Sequence, residues 1–185
     1  MALIDVNHIL PKEGYGQFTS TTCWYASYRL LHAWKQADES QIRPNLEAGG
    51  LNWKELTTRG IYPEEWPVAG SRLGLCGWEG RLVKAWDDEM IVYALKGYGP
   101  LYFTWDYGSS GHAVVIGGFD KKLNQFKVWN PYNRFEPGTV EIDWFTPDAF
   151  RERLHAGRRT PDAGRCRPGG ADPPDSSASF TGKLQ

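Results

Sequence analysis

Apolar positions recur at helical spacing in the first part of the chain and crowd into short blocks in the second. Between Cys23 and Gln36, Trp24, Ser27, Leu31 and Trp34 repeat with a helical period, and Ala26, Leu30 and Ala33 widen the stripe. That pattern predicts a buried central helix, with Ser20, Thr21 and Thr22 offering hydroxyls to cap its start. Residues 1–16 read as an extended arm carrying Leu3, Ile4, Val6, Ile9 and Leu10, closed by Gly14-Tyr15-Gly16. A shorter helix is predicted over Leu51–Arg59, stopped by Gly60. The stretch Ile61–Gly80 holds Pro63, Pro67, Gly70, Gly74, Gly77 and Gly80 and reads as irregular. Asp87 can cap a third helix to about Lys96, with Gly97 as its stop.

Beyond this point the pattern changes to strands. Pro100–Asp106, His112–Phe119, Gln125–Asn130 and Thr139–Ile142 are β-rich runs separated by turn residues. Thr146-Pro147-Asp148 then opens a last helix reaching Leu154, with proline at its first position. Helices first and antiparallel strands second give an α+β fold: a helical part with a central Cys-bearing helix, packed on a C-terminal antiparallel sheet. After His155 the chain turns to Gly, Pro, Arg, Asp and Ser, so one domain is expected over 1–155 and a disordered tail over 156–185.

Composition narrows the classes. A chain of 185 residues with 41% apolar and 23% charged residues fits one ordinary globular domain. Nine tryptophans call for a large aromatic core or an aromatic-lined cleft. A net charge of −1 without a basic block argues against nucleic acid and against an anionic membrane surface. Three cysteines, Cys23, Cys76 and Cys166, are too few and too irregular for a disulfide framework or a zinc site. No metal or cofactor is expected. Met1–Lys12 lacks the pattern of a secretory signal peptide, and no apolar run approaches the roughly 18 residues of a membrane span. The expectation is a soluble monomer made in the cytoplasm.

Four residues carry candidate chemistry. Cys23 at the first turn of its helix would feel the positive end of the dipole, which favours thiolate; the plain alternative is an inert buried cysteine. His112 is the candidate base, reached by elimination. His32 lies on the Cys23 helix too far along to meet it, His155 borders the tail, and His8 lacks an orienting partner. A surface histidine at a strand end is the alternative. The turn Asp120–Asn124 folds 112–119 against 125–130, which returns Asn130 to within about a residue of His112. Asn130 could there hold the imidazole as the third member of a triad does, although Asn-Pro also opens ordinary turns. Asp106, Asp120 and Asp143 stay open as other orienters. Gln17, six residues before Cys23, is the candidate donor to an oxyanion, together with the Cys23 amide. Trp24 should pack beneath the site. Trp78, Trp105 and Trp129 fit cleft walls or core equally, and Cys76 and Cys166 read as structural and incidental.

Gln17-x5-Cys23-Trp24-x-Ala26-Ser27, then Gly111-His112-Ala113-Val114-Val115-Ile116-Gly117, then Trp129-Asn130-Pro131, resembles the papain-like cysteine peptidases. The spacings, 89 residues from Cys23 to His112 and 18 on to Asn130, are similar to those of compact bacterial members, notably avirulence-type effector proteases and bacteriocin-processing peptidases. The resemblance spans residues 17–132. It implies a papain-like fold and a peptidase acting through Cys23, His112, Asn130 and Gln17 on a polypeptide substrate. It also implies a bacterial effector or toxin sent into a target cell by a specialised secretion system, with a cognate inhibitor or immunity protein as partner. Three features depart from the pattern: Tyr25 stands where a small residue is common, Asn130 where many compact relatives carry Asp, and only 22 residues precede Cys23, so no propeptide is visible. A peptidoglycan amidase or endopeptidase, a glutamine deamidase, and an inactive papain-like binding module remain as alternatives.

Overall fold

In a computed structural model the described residues are 3–75, 87–106 and 111–155. Helix α1 (Cys23–Lys35) buries Trp24, Ala26, Ser27, Tyr28, Leu30, Leu31 and His32. Its cap differs from expectation. Thr22 precedes the helix but makes no side-chain cap bond; its hydroxyl instead accepts from the Phe18 and Thr19 amides at 3.2 and 3.0 Å. The threonine therefore ties the preceding loop into a turn rather than satisfying the helix. Gln36, left-handed at φ 56°, ends it.

Three short helices follow: α2 (Ile42–Ala48), α3 (Trp53–Arg59) and α4 (Trp66–Arg72). Asn52 caps α3 by accepting from Lys54 and Glu55, and Gly60 stops it as expected. α2 was not legible, and α4 falls in the segment expected to be irregular. Pro67 lies in the first turn of α4, where a missing amide costs nothing, and Gly70 is tolerated inside because Ala69 and Leu73 are buried. Tertiary burial of Ile42, Leu46, Leu56, Ala69 and Leu73, with Trp24 and Tyr28 from α1, holds this group together. Asp87 caps α5 (Asp88–Tyr98), which runs past Gly97 and stops at Gly99. The expected tail 156–185, Cys76, Trp78 and Cys166 lie outside the described residues.

The sheet contains β1 (Val6–Asn7), β2 (Leu101–Asp106), β3 (Gly111–Asp120), β4 (Gln125–Asn130) and β5 (Glu141–Phe145). All pairings are antiparallel. β2 and then β1 line one edge of β3, with β4 and β5 on the other. β5 starts two residues later and ends three later than the predicted strand. Thr139 instead forms an isolated bridge with Glu13. α6 (Pro147–His155) closes the chain.

Alternation on β3 divides the core. Val115 faces α1, packing with Leu30, Leu31 and Trp129. Val114 and Ile116 face the other way, onto Ile91 and Leu95 of α5 and Phe150 of α6. Each such fully buried aliphatic side chain contributes about 1.5–3 kcal/mol. The sheet is thus held between α1 and the α5–α6 pair, and α1 presents its N-terminus at the end of β3 where His112 stands.

Candidate active site

Cys23 is the first residue of α1 and only 7% exposed. The backbone amides of Ala113, Trp24 and Cys23 itself lie near the sulfur and act to lower its pKa. Ala113 follows His112 on β3, so the sulfur rests against the strand that carries the imidazole. Burial nonetheless pushes the thiol above its ordinary value, outweighing those amides. This reverses the direction expected from the dipole alone: desolvation of a nearly enclosed sulfur exceeds the pull of the helix terminus.

His112 and Asn130 meet through an irregularity in the sheet. β3 pairs with β4 as Asp120↔Gln125, Phe119↔Phe126 and Gly118↔Lys127, then slips to Ile116↔Val128 and Val115↔Trp129. Gly117 is the extra residue, a β-bulge. One further step sets Asn130 opposite Val114, two positions from His112 and on the same face. Without the bulge Asn130 would oppose Val115 and point to the opposite face. The register is thus a residue further from His112 than the hairpin count implied, and the diagonal neighbour is the one that touches. His112 Nε2 donates to Asn130 Oδ1 at 2.7 Å. His112 also lies beside the Trp105 ring, 6.2 Å between centroids. Burial lowers its pKa, while Asn130 and Asp143 act against that.

The Asn130 amide is fixed from both ends. Its Oδ1 also accepts from the Tyr132 amide at 3.0 Å, and its Nδ2 donates to Asp143 Oδ2 at 3.1 Å. A backbone N–H can only donate and a carboxylate only accept, so the amide has one orientation, and His112 Nε2 must carry the proton. The turn role and the imidazole contact, alternatives in the sequence, are both filled by one side chain.

Gln17 is registered against this group by the backbone. Its amide donates to Pro131 O at 2.8 Å, and Gly16 donates to Gly138 O at 3.0 Å. The Gln17 side chain donates from Nε2 to Thr19 O at 2.9 Å, which leaves the second Nε2 hydrogen for another acceptor.

Two residues in the core cluster that holds Cys23 were missed. Tyr28 and Tyr102 stack at 4.9 Å with 11° between planes. Burial first, then the nearby Tyr28 and Cys23, raises the Tyr102 hydroxyl well above its ordinary value. Trp24 is buried under the site as expected, edge-on to Trp53 and Tyr28. Trp105 and Trp129, each 2% exposed, are core rather than cleft wall. Other candidates are placed elsewhere: His8 Nε2 bonds Leu95 O, His32 is buried in α1, and Asp120 caps its own turn through Leu123. Asp143 was weighed as an orienter of the imidazole; it touches Asn130 instead. Among the described residues no group of three metal-ligating side chains converges, and no helix is long and apolar enough to cross a membrane.

The sequence profile of the family described as papain-like cysteine protease AvrRpt2 matches residues 9–149 of the chain. Among curated proteins, none matches.

Proposed function

The chain belongs to the papain-like cysteine protease family AvrRpt2, and from that membership we propose that Cys23, His112, Asn130 and Gln17 are its catalytic residues. The family makes it a cysteine peptidase acting on polypeptides, and its helix-then-sheet architecture is the papain-like fold. One observation carries the residue assignment: His112 bonds Asn130 at 2.7 Å while the next residue, Ala113, packs against Cys23 with its amide near the sulfur.

In this mechanism Nε2–H stays with Asn130 and Nδ1 exchanges the proton with Cys23. Burial favours the neutral thiol and neutral imidazole in the resting pair. The substrate amide entering the cleft takes the sulfur as Nδ1 accepts its proton, forming a tetrahedral adduct. The Cys23 amide and the second Nε2 hydrogen of Gln17 stabilise its oxyanion. Imidazolium Nδ1–H then protonates the leaving amine, and a thioester remains. Water, deprotonated by Nδ1, attacks that thioester and releases the acid and the thiol.

The effector reading belongs with this proposal: a bacterial protease that acts inside another cell, restrained in its producer by an inhibitor or immunity protein. Exposed Phe18 and Tyr132 neighbour Gln17 and Asn130 and offer apolar contacts to an extended polypeptide. Incubating the protein and its Cys23→Ala variant with a peptide library, read by mass spectrometry, tests the mechanism. Cleavage by the wild type alone supports it; cleavage surviving in the variant removes Cys23 from the chemistry.

A further inference from the structure

A carboxylate stands behind the proposed triad. The β4–β5 ladder sets Val128 opposite Asp143 and Asn130 opposite Glu141, so Asp143 is the diagonal neighbour of Asn130 on the same sheet face. His112 is the diagonal neighbour of Asn130 on the other side. The three side chains therefore cross β3, β4 and β5 in one line, joined by bonds of 2.7 and 3.1 Å. We propose that Asp143 is a positioning residue for the peptidase, its carboxylate acting on His112 through the Asn130 amide. The inference rests on the assignment of Cys23 and His112 made above.

The physical reason lies in the third position being neutral. An asparagine orients an imidazole but brings no charge to stabilise the imidazolium that forms during proton transfer, and burial opposes that cation. A carboxylate accepting from Nδ2 polarises the amide and increases the negative charge on Oδ1, where the imidazolium donates. It also satisfies an amide N–H that would otherwise be lost inside the sheet.

Tyr132 makes the proposal separable from simple scaffolding. Its backbone N–H holds Asn130 Oδ1 at 3.0 Å whatever stands at position 143. Removing only the charge should thus leave Asn130 in place. His112 is faced by Trp105 from β2, Asn130 from β4 and Asp143 from β5. Arg153 of α6 lies over the far partner rings, Trp105 at 5.1 Å and Phe145 at 4.8 Å.

The test is an NMR titration of the His112 imidazole in full-length protein carrying Cys23→Ala, which removes the coupled thiol, with and without Asp143→Asn. The expected result is a fall of about one pH unit in the His112 midpoint, since a charge at this range acts through a partly shielded interior. Asp143→Ala should show the same fall, and Glu141→Gln, which alters the neighbouring carboxylate, none. With Cys23 intact, Asp143→Asn should lower kcat about tenfold, the rate equivalent of that shift, with KM unchanged. An unchanged His112 midpoint in both Asp143 variants overturns the role of Asp143 alone. Cleavage that survives Cys23→Ala overturns the assignment beneath it, and this inference with it.

Discussion

Gly117→Ala tests whether the sheet irregularity builds the site. A Cβ at residue 117 would lie 2.5 Å from Trp129 Cζ3 and 2.6 Å from Leu10 Cδ1. Ordinary carbon contacts are about 3.5–4.0 Å, so roughly 1 Å must be found somewhere. Neither neighbour can easily provide it: Trp129 is 2% exposed, Leu10 6%, and both belong to the core between α1 and the sheet. Forcing one methyl group into such packing costs about 1–3 kcal/mol. For a domain of this size that is a loss of roughly 3–10 °C in Tm. Gly97→Ala supplies the opposite sign on the same protein, because nothing lies within 4 Å of its Cβ in α5, and a helical alanine should add about 0.5–1 kcal/mol. Activity adds a second reading. If the strand escapes the clash by losing the bulge, Asn130 moves to the opposite face from His112, and cleavage falls further than the lost stability explains. Thermal unfolding by circular dichroism, with peptide cleavage measured well below Tm, reads both. A Gly117→Ala variant as stable and active as wild type would refute the argument that this glycine fixes the register.

Cys23→Ala should abolish cleavage with Tm nearly preserved, because the buried neutral thiol is replaced by a slightly smaller apolar side chain; a collapsed Tm would make the residue structural instead. Gln17→Ala should lower kcat by about 10²–10³ with little change in KM, the cost of one oxyanion donor, and a pure KM effect would assign it to binding. Asp143→Asn should cost about tenfold beside Asn130 but nothing in an Asn130→Asp background, where a carboxylate already meets the imidazole; equal losses in both backgrounds would show that the two side chains do not communicate. Stability should also depend on pH. Burial holds His112 and His32 below their ordinary 6.5, so the unfolded chain takes up protons first, and their contribution, full above that value, falls as pH drops through it. Cys23 is held above its ordinary 9.0, so its contribution is full below that value and falls as pH rises beyond it. Urea unfolding from pH 5 to 10 should show both limbs, and Cys23→Ala should flatten only the alkaline one.

The parts of the site that were legible are those whose signals are local. Helical periodicity located α1, and the turn Asp120–Asn124 located the β3–β4 hairpin. Both hold because short-range spacing and turn chemistry decide them. What escaped depends on partners distant in sequence. α4 carries proline and glycine yet is helical, because burial of Ala69 and Leu73 among Leu56 and Ile42 outweighs weak propensity. The bulge at Gly117 leaves no mark in the alternation of apolar residues, since the whole run Ala113–Ile116 is buried. The prediction for β5 ended at Ile142, which left Asp143 outside the strand and hid its register against Asn130. Cys23 was placed correctly, but its acidity was not: a dipole can be read from a helix start, whereas desolvation depends on Ala113 and the packing around it.

These differences converge on how the site is assembled. Neither half contains it. α1 supplies the sulfur, but Ala113, which packs against it, comes from β3. The sheet supplies His112, Asn130 and Asp143 as a diagonal through three strands, correct in face only because Gly117 is inserted. Gln17 belongs to the arm before α1, yet its amide is bonded to Pro131, the residue after Asn130, and Gly16 to Gly138. Those backbone bonds register the arm to the rim of the sheet independently of side-chain packing. Loss of contact between α1 and β3 would therefore expose Cys23 and leave Gln17 and the His112–Asn130 pair on the sheet, apart from the sulfur. A thiol whose pKa is raised by burial then reverts toward its ordinary value. The geometry of the proposed site and the raised pKa of Cys23 are consequences of the same long-range packing, so a substitution that loosens the α1–β3 contact must alter both together.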